Sequence, residues 1–317
     1  MKTQAVVLER PEQLRLSALE LTAPGAADLV VDIEFSGIST GTEKLLYSGR
    51  MPMFPGMGYP LVPGYESVGR VSQAGPEATH RVGDRVFVPG ARCYGEVRGL
   101  FGGAASRIVV ADSKVVPVSE ALGQHAVLLA LAATAYHTVA CGGEGAPCRA
   151  PDLIVGHGVL GRLLARMVVA AGFEPPTVWE VNPQRAEGAQ GYQVLDPQED
   201  TRRDYQAIYD VSGDSRILDT AIARLARRGE VVLAGFYSEP LSFNFAPAFM
   251  REAHIRTAAE WQRADMLAVR ELAESGRLSL DGLITHQDVA THASDAYRTA
   301  FGDAACLKMV LDWRQLQ

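Results

Sequence analysis

Apolar and polar positions alternate in short segments through residues 1–117. The clearest segments are Leu29–Phe35, Ser67–Val71 and Asp84–Val88. A period of two residues is typical of strands that bury one face. The segment Pro52–Pro60 contains three prolines and two glycines, so it cannot be a helix. We expect a β-rich first part of the chain, with a shaped loop at this segment.

The pattern changes near Val118. Residues 126–139 are apolar and rich in alanine, which predicts a long helix, and a glycine-rich loop follows at residues 142–145. Short apolar runs then alternate with segments of helical period. The predicted strands are Asp152–Val155, Thr177–Glu180, Ala207–Val211 and Glu230–Ala234, and the predicted helices are residues 162–172 and Ile217–Ala226. This alternation predicts an α/β fold with a doubly wound parallel sheet.

The C-terminal part of the chain has a third pattern of apolar and polar residues. Helical patterns near residues 264–275 and 293–301 flank the segment Leu283–His286, and a strand is predicted at Leu307–Leu311. We therefore expect three segments, at residues 1–137, 138–265 and 266–317, of which the middle one holds the parallel sheet.

A G-x-G-x-x-G pattern lies between the first predicted strand of that sheet and the helix after it. In a dinucleotide site the first glycine allows a tight turn and the second admits a pyrophosphate close to the backbone. The third glycine lets the helix pack on the strand, and the helix N-terminus favours the negative charge. The alternative is a glycine turn without a ligand. The predicted pyrophosphate loop comprises Gly156, His157, Gly158, Val159, Leu160 and Gly161.

Glu180 ends the next predicted strand, 180 − 156 = 24 residues past the first glycine. This is near the ~20 residues expected for the acid that binds the adenosine ribose. Its carboxylate would accept from the ribose hydroxyls and repel a 2′-phosphate, so the sequence favours NAD over NADP. Arg185 could in principle bind such a phosphate, but Asn182–Arg185 is more typical of a helix start with a solvated arginine.

Two further strand ends are predicted to line the cofactor. Ser212 and Gly213 follow one strand, and Gly235 and Phe236 follow the next. Ligands of parallel sheets bind beyond the carboxyl ends of the strands. The alternative for each of them is that a small residue simply ends a strand.

Composition excludes several classes of function. The chain of 317 residues has a net charge of −7 and no basic cluster, which argues against a nucleic-acid partner. It begins without an apolar signal segment, and no apolar run approaches the ~18 residues of a membrane span. Its four cysteines form no C-x-x-C pair. We expect a cytoplasmic protein without an integral membrane segment.

Five motifs resemble the medium-chain dehydrogenase/reductase superfamily. They are Pro63-Gly64-Tyr65-Glu66, Val82-Gly83-Asp84-Arg85-Val86, Thr134-Ala135-Tyr136-His137, the glycine pattern and Leu283-Ile284-Thr285-His286. The resemblance implies a GroES-like, β-rich catalytic domain built from residues 1–137 and 266–317. It also implies a Rossmann domain at residues 138–265 and a homodimer formed near the strand Glu230–Ala234.

Within the superfamily, residues 37–50 and 54–66 are similar to dehydrogenases that act on bacteriochlorophyllides. That resemblance implies a tetrapyrrole substrate, whose 3-(1-hydroxyethyl) group is oxidised to 3-acetyl with NAD during bacteriochlorophyll synthesis. The loop Met51–Tyr59 contains three methionines, a phenylalanine and a tyrosine. Such side chains would suit the wall of a site for a planar macrocycle, or a plug at a domain interface.

The chain departs from the zinc enzymes of the superfamily. It has Ser39 where they carry a cysteine ligand and Tyr65 where they carry a histidine. The third ligand expected near residues 131–134 is missing, and Cys93 alone lies in the region of their four-cysteine lobe. We therefore expect no bound metal. Glu66 and His137 remain, and we interpret each as a hydrogen-bonding group.

Without a metal, side chains or an ordered water must take the hydroxyl proton and stabilise the forming alkoxide. Tyr65 could point at the substrate oxygen or be a core tyrosine, and Glu43 could end a relay through Thr42. His137 has a suitable pKa for a base, but a lone histidine on an alanine-rich helix is more typically structural. The candidate catalytic residues are Ser39, Thr40, Thr42, Glu43, Tyr65 and His137.

Two other functions fit the same pattern. One is a zinc-free quinone- or enoyl-type reductase of the superfamily, although such enzymes usually prefer NADPH and Glu180 argues against that cofactor. The other is a non-catalytic NAD-binding sensor or scaffold, which would not need the hydroxyl groups clustered between Ser39 and Glu43.

Overall fold

The computed structural model describes residues 1–140 and 149–317. The predicted loop at residues 142–145, Cys141 and Cys148 lie outside the described residues. The chain divides into two compact units. Unit 1 comprises Met1–Ala130 and Asp281–Gln317, and unit 2 comprises Leu131–Leu280. The sequence-based boundaries lie after residues 137 and 265, whereas these units divide after residues 130 and 280.

The strands and helices follow in chain order. The strands are β1 Lys2–Arg10, β2 Gln13–Glu20, β3 Asp28–Ile38, β4 Leu61–Val62, β5 Ser67–Ala74, β6 Arg85–Val88, β7 Arg98–Gly99, β8 Arg107–Ala111, β9 Val116–Pro117, β10 Leu153–Val155, β11 Thr177–Trp179, β12 Gln193–Leu195, β13 Tyr205–Asp210, β14 Leu225–Leu233, β15 His254–Thr257, β16 His286–Val289 and β17 Met309–Asp312. The helices are α1 Thr42–Ser48, α2 Leu129–Ala140, α3 Val159–Ala170, α4 Ile217–Arg224, α5 Phe245–Arg251, α6 Arg263–Glu274 and α7 Ala293–Gly302.

Unit 1 is built on two sheets. One sheet has seven strands in the order β16-β17-β3-β5-β6-β9, with β8 also paired to β3, and the other has the order β2-β1-β4-β7. The three strands predicted from the period-two pattern are confirmed as β3, β5 and β6, and residues 51–60 form no helix. The C-terminal β17 pairs antiparallel with β3, so that Met309 lies opposite Ile38. This pairing brings the end of the chain beside the segment that follows β3.

Unit 2 contains one parallel sheet of six strands, in the order β12-β11-β10-β13-β14-β15. Each neighbouring pair is parallel, which confirms the predicted doubly wound arrangement. β10 pairs with β11 on one side and with β13 on the other. The chain order therefore reverses at β10, where an open sheet of this type forms a crevice beyond its carboxyl edge.

Three element boundaries differ from the sequence expectation. The helix predicted through Ala226 ends at Arg224, because Leu225 is extended, buried and paired with Tyr205 in β14. The alanine-rich helix is α-helical only from Leu129, since the residues before it form a 3₁₀ segment interrupted at Gly123. The helix start predicted at residue 182 is a single 3₁₀ turn.

No helix in the described ranges, 1–140 and 149–317, combines the length and apolar character that a bilayer crossing requires.

Candidate functional site

The three glycines of the motif have different neighbours in unit 2. Gly156 has a φ of +104°, which favours glycine, and turns the chain from β10 towards α3. A Cβ on Gly161 would lie 1.9 Å from the Gly156 carbonyl oxygen, so this glycine lets α3 pack on the turn. A Cβ on Gly158 would meet no described atom within 4 Å, and its φ is −75°. The protein itself therefore gives no reason for glycine at position 158, and a close-lying ligand would give one.

Gly158 is also the residue that precedes the first turn of α3. No side chain caps this helix N-terminus. Val159 is buried and Leu160 half-buried, so the backbone rather than large polar side chains forms the open surface here. The first amides of a helix attract anions. The turn therefore fits a pyrophosphate at the position that the sequence predicted.

The His157 ring points into the protein rather than towards this surface. It is fully buried, with Nδ1 2.6 Å from the Arg185 carbonyl oxygen and Nε2 2.8 Å from the Tyr192 hydroxyl. Burial, and then the nearby charge of Arg162, lower the pKa of His157 to about 4. The Arg162 guanidinium donates to the main-chain oxygens of His157, Arg185 and Glu187. These bonds fix the shape of the loop with a neutral imidazole.

Glu180 lies at the carboxyl end of β11 and is half-buried. Its carboxylate accepts a hydrogen bond from the His157 amide at 3.2 Å and from the Asn182 amide at 2.8 Å. These two bonds hold the carboxylate beside the glycine turn, and each oxygen keeps a lone pair for a ribose hydroxyl. Asn182 contributes through its backbone, while its side chain caps the following turn at Gln184.

The strand ends beyond β13 and β14 carry a polar cluster around Asp210. This buried carboxylate accepts from the Ser212 hydroxyl at 2.6 Å and from the Tyr237 hydroxyl. Burial raises the pKa of Asp210. The Gly213 and Gly235 backbones approach each other here, and Phe236 is half exposed. Sequence reasoning missed Asp210 and Tyr237, although an aspartate that ends a buried strand is a usable signal.

In unit 1, the structure joins two of the predicted catalytic residues directly. The Ser39 hydroxyl lies 2.7 Å from the Tyr65 hydroxyl. The Thr42 side chain lies near enough to the Tyr65 hydroxyl to lower its pKa, and the Phe101 ring meets the Tyr65 ring edge to face at 5.5 Å. Burial, and then the charge of Glu66, raise the pKa of Tyr65. Tyr65 is therefore a neutral hydroxyl that is bonded to Ser39 and close to Thr42, and we call these three side chains the hydroxyl chain.

Thr40 is half-buried in the turn between β3 and α1. It lies in the same short turn as Ser39 and next to the start of α1 at Thr42, so it stays among the candidate residues.

Glu43, in the first turn of α1, is buried and only 1% exposed. Its carboxylate accepts from the Ser39 amide at 3.1 Å and from the Tyr297 hydroxyl at 2.6 Å. Burial raises the pKa of Glu43 to about 7, against the lowering effect of these hydrogen bonds. Glu43 thus supports the backbone of Ser39, whereas the sequence suggested that it ends a relay through Thr42.

A buried ion pair completes the cluster. The Lys308 ammonium lies 2.5 Å from Glu66 Oε2 and 3.2 Å from the Ile38 carbonyl oxygen. Both side chains of the pair are at most 1% exposed. Sequence reasoning missed Lys308 and Tyr297. A lysine inside an apolar predicted strand was the available signal for the first, and nothing local marks the second.

His137 belongs to unit 2, unlike the other predicted catalytic residues. Its Nδ1 lies 2.8 Å from Asp265 Oδ2, and Asp265 also caps the start of α6 through the Gln262 amide. The contact joins α2 to α6. This geometry fits the structural interpretation of His137.

The donor set of unit 1 does not fit the zinc ion of the zinc-dependent relatives. The Ser39 and Tyr65 hydroxyls are neutral and are engaged with each other. Glu66 is paired with an ammonium, which would repel a dication. Structural and catalytic zinc sites use thiolate, imidazole and carboxylate ligands, and no group of three His, Cys, Asp or Glu residues in the described ranges could hold a metal ion.

Glu43→Gln should change how stability depends on pH. The pKa of Glu43 rises from 4.5 to about 7 on folding, so the folded state holds its proton more tightly. Stability from this group is full below pH 4.5 and is lost as the pH rises through 7, by on the order of 3 kcal/mol. We expect urea denaturation at a series of pH values to show this loss for the wild type and not for Glu43→Gln. Glu77→Gln, at an exposed position, should show the wild-type dependence of the free energy of unfolding on pH. The same dependence in Glu43→Gln would contradict the prediction.

Comparison with known proteins places this arrangement in context. A model of the alcohol dehydrogenase GroES-like domain matches residues 25–120. The 2-desacetyl-2-hydroxyethyl bacteriochlorophyllide A dehydrogenase of Rhodobacter capsulatus is 58% identical over 315 residues, which cover 99% of each chain.

Solved structures share the fold at lower identity. An alcohol dehydrogenase of Escherichia coli, solved with NADH, superposes with a TM-score of 0.82 at 22% identity and covers 98% of this chain and 99% of its own. A dehydrogenase from Sinorhizobium meliloti, solved with NADP, superposes with a TM-score of 0.79 at 19% identity and covers 98% of this chain and 99% of its own. Both confirm the predicted combination of a GroES-like domain and a Rossmann domain.

Proposed function

We propose, because the chain belongs to the family of 2-desacetyl-2-hydroxyethyl bacteriochlorophyllide A dehydrogenases, that it oxidises the hydroxyethyl group of a bacteriochlorophyllide to an acetyl group. The observation that carries the proposal is the 2.7 Å contact between Ser39 and Tyr65 at positions where zinc enzymes hold a metal. A hydroxyl pair at those positions suits proton transfer from an alcohol. The reaction belongs to the synthesis of bacteriochlorophyll.

NAD is the proposed oxidant. The open surface at Gly158 and the amides at the start of α3 suit the pyrophosphate, and Glu180 suits the adenosine ribose. Asn182, Ser212, Gly213, Gly235 and Phe236 would line the rest of the cofactor site, with Arg185 holding the loop through its carbonyl group. When bound, NAD would supply the acceptor for a hydride from the carbinol carbon.

Glu180→Gln should weaken the preference for NAD over NADP. The amide keeps one acceptor oxygen for the neighbouring backbone amides, but it loses the charge that repels a 2′-phosphate. We expect NAD to bind roughly tenfold more weakly and the NAD/NADP affinity ratio to fall roughly tenfold or more. Fluorescence titration with both reduced cofactors measures this. Glu187→Gln, at an exposed position of the same segment, is the control, and an unchanged ratio in Glu180→Gln would argue for another specificity residue.

The hydroxyl chain of unit 1 takes the alcohol proton. Tyr65 accepts the proton from the substrate oxygen as it passes its own hydroxyl hydrogen to Thr42, which is half-buried and passes a proton on to water. Ser39 donates a hydrogen bond to the Tyr65 oxygen and keeps it in place. The high pKa of Tyr65 keeps it a hydrogen-bond donor to the product ketone. Overall, the alcohol loses a hydride, which is one proton with two electrons, to NAD. It loses a second proton, from its hydroxyl group, to solvent. Glu43 holds Ser39 in place through its backbone amide.

The loop Met51–Tyr59 is the proposed contact for the macrocycle. Met51 is buried with Leu46 and Leu61, and the Tyr59 hydroxyl donates to the Leu46 carbonyl oxygen at 2.6 Å. These contacts fix both ends of the loop on unit 1. Met53 is 82% exposed, and Phe54 and Met57 are half-buried, so apolar surface remains for a flat substrate.

A spectral assay tests the function. The purified protein is incubated with hydroxyethyl-bacteriochlorophyllide and NAD, then NADP, before and after treatment with a chelator. A red shift of the pigment band with NAD that survives chelation supports the proposal, because the new acetyl group conjugates with the macrocycle. Activity that is lost on chelation and restored by zinc would overturn the metal-free part. Absence of a shift, despite NAD binding, would favour the reductase or the sensor.

A homodimer through the edge of the parallel sheet is the proposed assembly. β15 is the last strand of that sheet, and Phe245, Phe249 and Met250 on the adjacent α5 are each more than 60% exposed. An unpaired strand edge beside apolar side chains favours pairing with a second copy.

Phe249→Glu should therefore convert a dimer into a monomer. The charge would be buried against the second chain at a cost of several kcal/mol. Analytical ultracentrifugation should give a two-chain mass for the wild type and a one-chain mass for the variant. Phe173→Glu changes a phenylalanine of similar exposure away from β15 and should leave the dimer intact. A monomeric wild type would exclude the assembly.

A further inference from the structure

Lys308 contacts the sequence neighbours of both hydroxyl residues. Its ammonium donates to the carbonyl oxygen of Ile38, the residue before Ser39, at 3.2 Å. It also lies 2.5 Å from a carboxylate oxygen of Glu66, the residue after Tyr65. Ser39 follows β3 and Tyr65 precedes β5, whereas Lys308 comes from the C-terminal end of the chain, beside β17. One side chain thus connects the two segments that present the hydroxyl pair.

The ion pair is costly to maintain, which indicates a role beyond packing. Glu66 is 0% exposed, and its Oε1 has no hydrogen-bond partner in the described structure. Its charge is therefore compensated mainly by Lys308. Buried pairs of this kind often stabilise a protein less than apolar residues of the same volume would. Two apolar side chains could fill the space, but they could not hold the Ile38 carbonyl.

A glycine makes room for the pair. A Cβ on Gly37 would lie 2.3 Å from Glu66 Oε2, the oxygen that Lys308 contacts. The Gly37 amide also donates to the Glu66 main-chain oxygen at 2.8 Å. The backbone at the end of β3 is thus shaped around the Glu66 carboxylate.

We infer that Lys308 is a positioning residue, whose ammonium holds Ile38 and Glu66 at a fixed separation so that the Ser39 and Tyr65 hydroxyls stay within hydrogen-bond distance. This inference rests on the proposed function, in which Tyr65 takes the substrate proton while it is hydrogen-bonded to Ser39. Lys308 touches neither hydroxyl in the contacts described, so it acts through the backbone of Ser39 and the residue after Tyr65.

The charge of Lys308 gives the inference a distinctive readout at Glu43. Four groups face the Glu43 carboxyl: Tyr297 and the Ser39 amide by hydrogen bonds, and Glu66 and Lys308 by charge. Glu66 raises the pKa of Glu43 and Lys308 lowers it. Removing Lys308 alone should therefore raise that pKa, and removing the charge of Glu66 alone should lower it. Removing both should leave it near its original value.

The experiment uses the full chain with Lys308→Met, Glu66→Gln and the double variant. We expect kcat for the alcohol to fall by about 10- to 100-fold in Lys308→Met, while NAD affinity is unchanged. We also expect the acid limb of its pH–kcat profile to move to higher pH, because the pKa of Glu43 rises when Lys308 is removed. The double variant should regain the thermal stability and the wild-type acid limb, because no unpaired charge remains. Its kcat should stay reduced, since the Ile38 carbonyl still lacks its donor. The double variant also keeps the test available if Lys308→Met fails to fold.

Three outcomes separate the alternatives. A double variant with wild-type kcat would overturn the inference, because Lys308 would then only neutralise Glu66. An acid limb that does not move in folded Lys308→Met would overturn the charge coupling to Glu43. If the wild type is inactive on the pigment, the proposed function fails. The coupling between Lys308 and Glu43 is then measured from the NMR titration of the Glu43 carboxyl ¹³C signal. That signal is assigned by its absence in Glu43→Gln. A titration shifted upward in Lys308→Met would still support the position of Lys308 beside this cluster.

Discussion

Tyr65→Phe is expected to lower kcat for hydroxyethyl-bacteriochlorophyllide by roughly 10²–10³-fold, with little change in NAD affinity. The substitution removes the hydroxyl that contacts Ser39 at 2.7 Å and leaves the ring against Phe101. Proton transfer from the alcohol then lacks its first acceptor, and the ketone lacks its donor. Steady-state kinetics from the red-shifted product band, with NAD titration in parallel, measure both effects.

Tyr47→Phe is the matched control for this variant. It removes a tyrosine hydroxyl from the same unit, where the hydroxyl makes only a long contact of 3.5 Å with the Glu12 carbonyl oxygen. Its kcat should equal that of the wild type. If Tyr65→Phe retained more than about a tenth of the wild-type kcat, an ordered water rather than Tyr65 would be the first proton acceptor.

Gly158→Val is expected to weaken NAD binding by roughly 100-fold while the protein folds normally. A Cβ at this position meets no described atom within 4 Å, and its φ of −75° suits any residue, so the free protein accommodates the change. The added side chain would occupy the space proposed for the pyrophosphate. Overpacking of this kind costs about 1–3 kcal/mol, and the upper end of that range corresponds to this loss of affinity.

Gly302→Ala provides the control, because a Cβ there also meets nothing within 4 Å and the residue lies at the exposed end of α7. It should change neither the melting temperature nor NAD affinity. Gly161→Ala should behave differently and lower the melting temperature, since its Cβ would clash with the Gly156 carbonyl. A Gly158→Val protein with wild-type NAD affinity would show that the cofactor does not approach this turn.

Much of the fold could be predicted because many strands and turns are determined by residues that are close together in sequence. The period of two at β3 and β5, and the glycine turn between β10 and α3, each depend on residues close together in sequence. Glu180 is 24 residues past Gly156, and it could be placed beside the turn because successive strands of a β-α-β unit pair in parallel and end at the same edge. Element ends were less certain, since Leu225 is drawn into β14 by its pairing with Tyr205 rather than by its neighbours.

The polar cluster of unit 1 could be predicted only in part. Ser39 and Tyr65 were both selected from their positions in motifs, yet their direct contact depends on the pairing of β3 with β5. Tyr297 and Lys308 lie more than 240 residues from the carboxylates that they contact. No period or spacing encodes such contacts, because they arise when the C-terminal strand returns to pair with β3.

The buried ring of His157 gives the two units opposite responses to acid. Its pKa falls from 6.5 to about 4 on folding, so the contribution of this group to the stability of unit 2 is lost as the pH drops through that range. The pKa of Glu43 is raised to about 7, so the contribution of this carboxyl to the stability of unit 1 grows over much of the same range. As the solution is acidified, these two groups should therefore lower the stability of unit 2 relative to that of unit 1. If NAD binds to unit 2 as proposed, mild acid would weaken the unit that holds the cofactor while it strengthens the unit that holds the Ser39–Tyr65 hydroxyl pair.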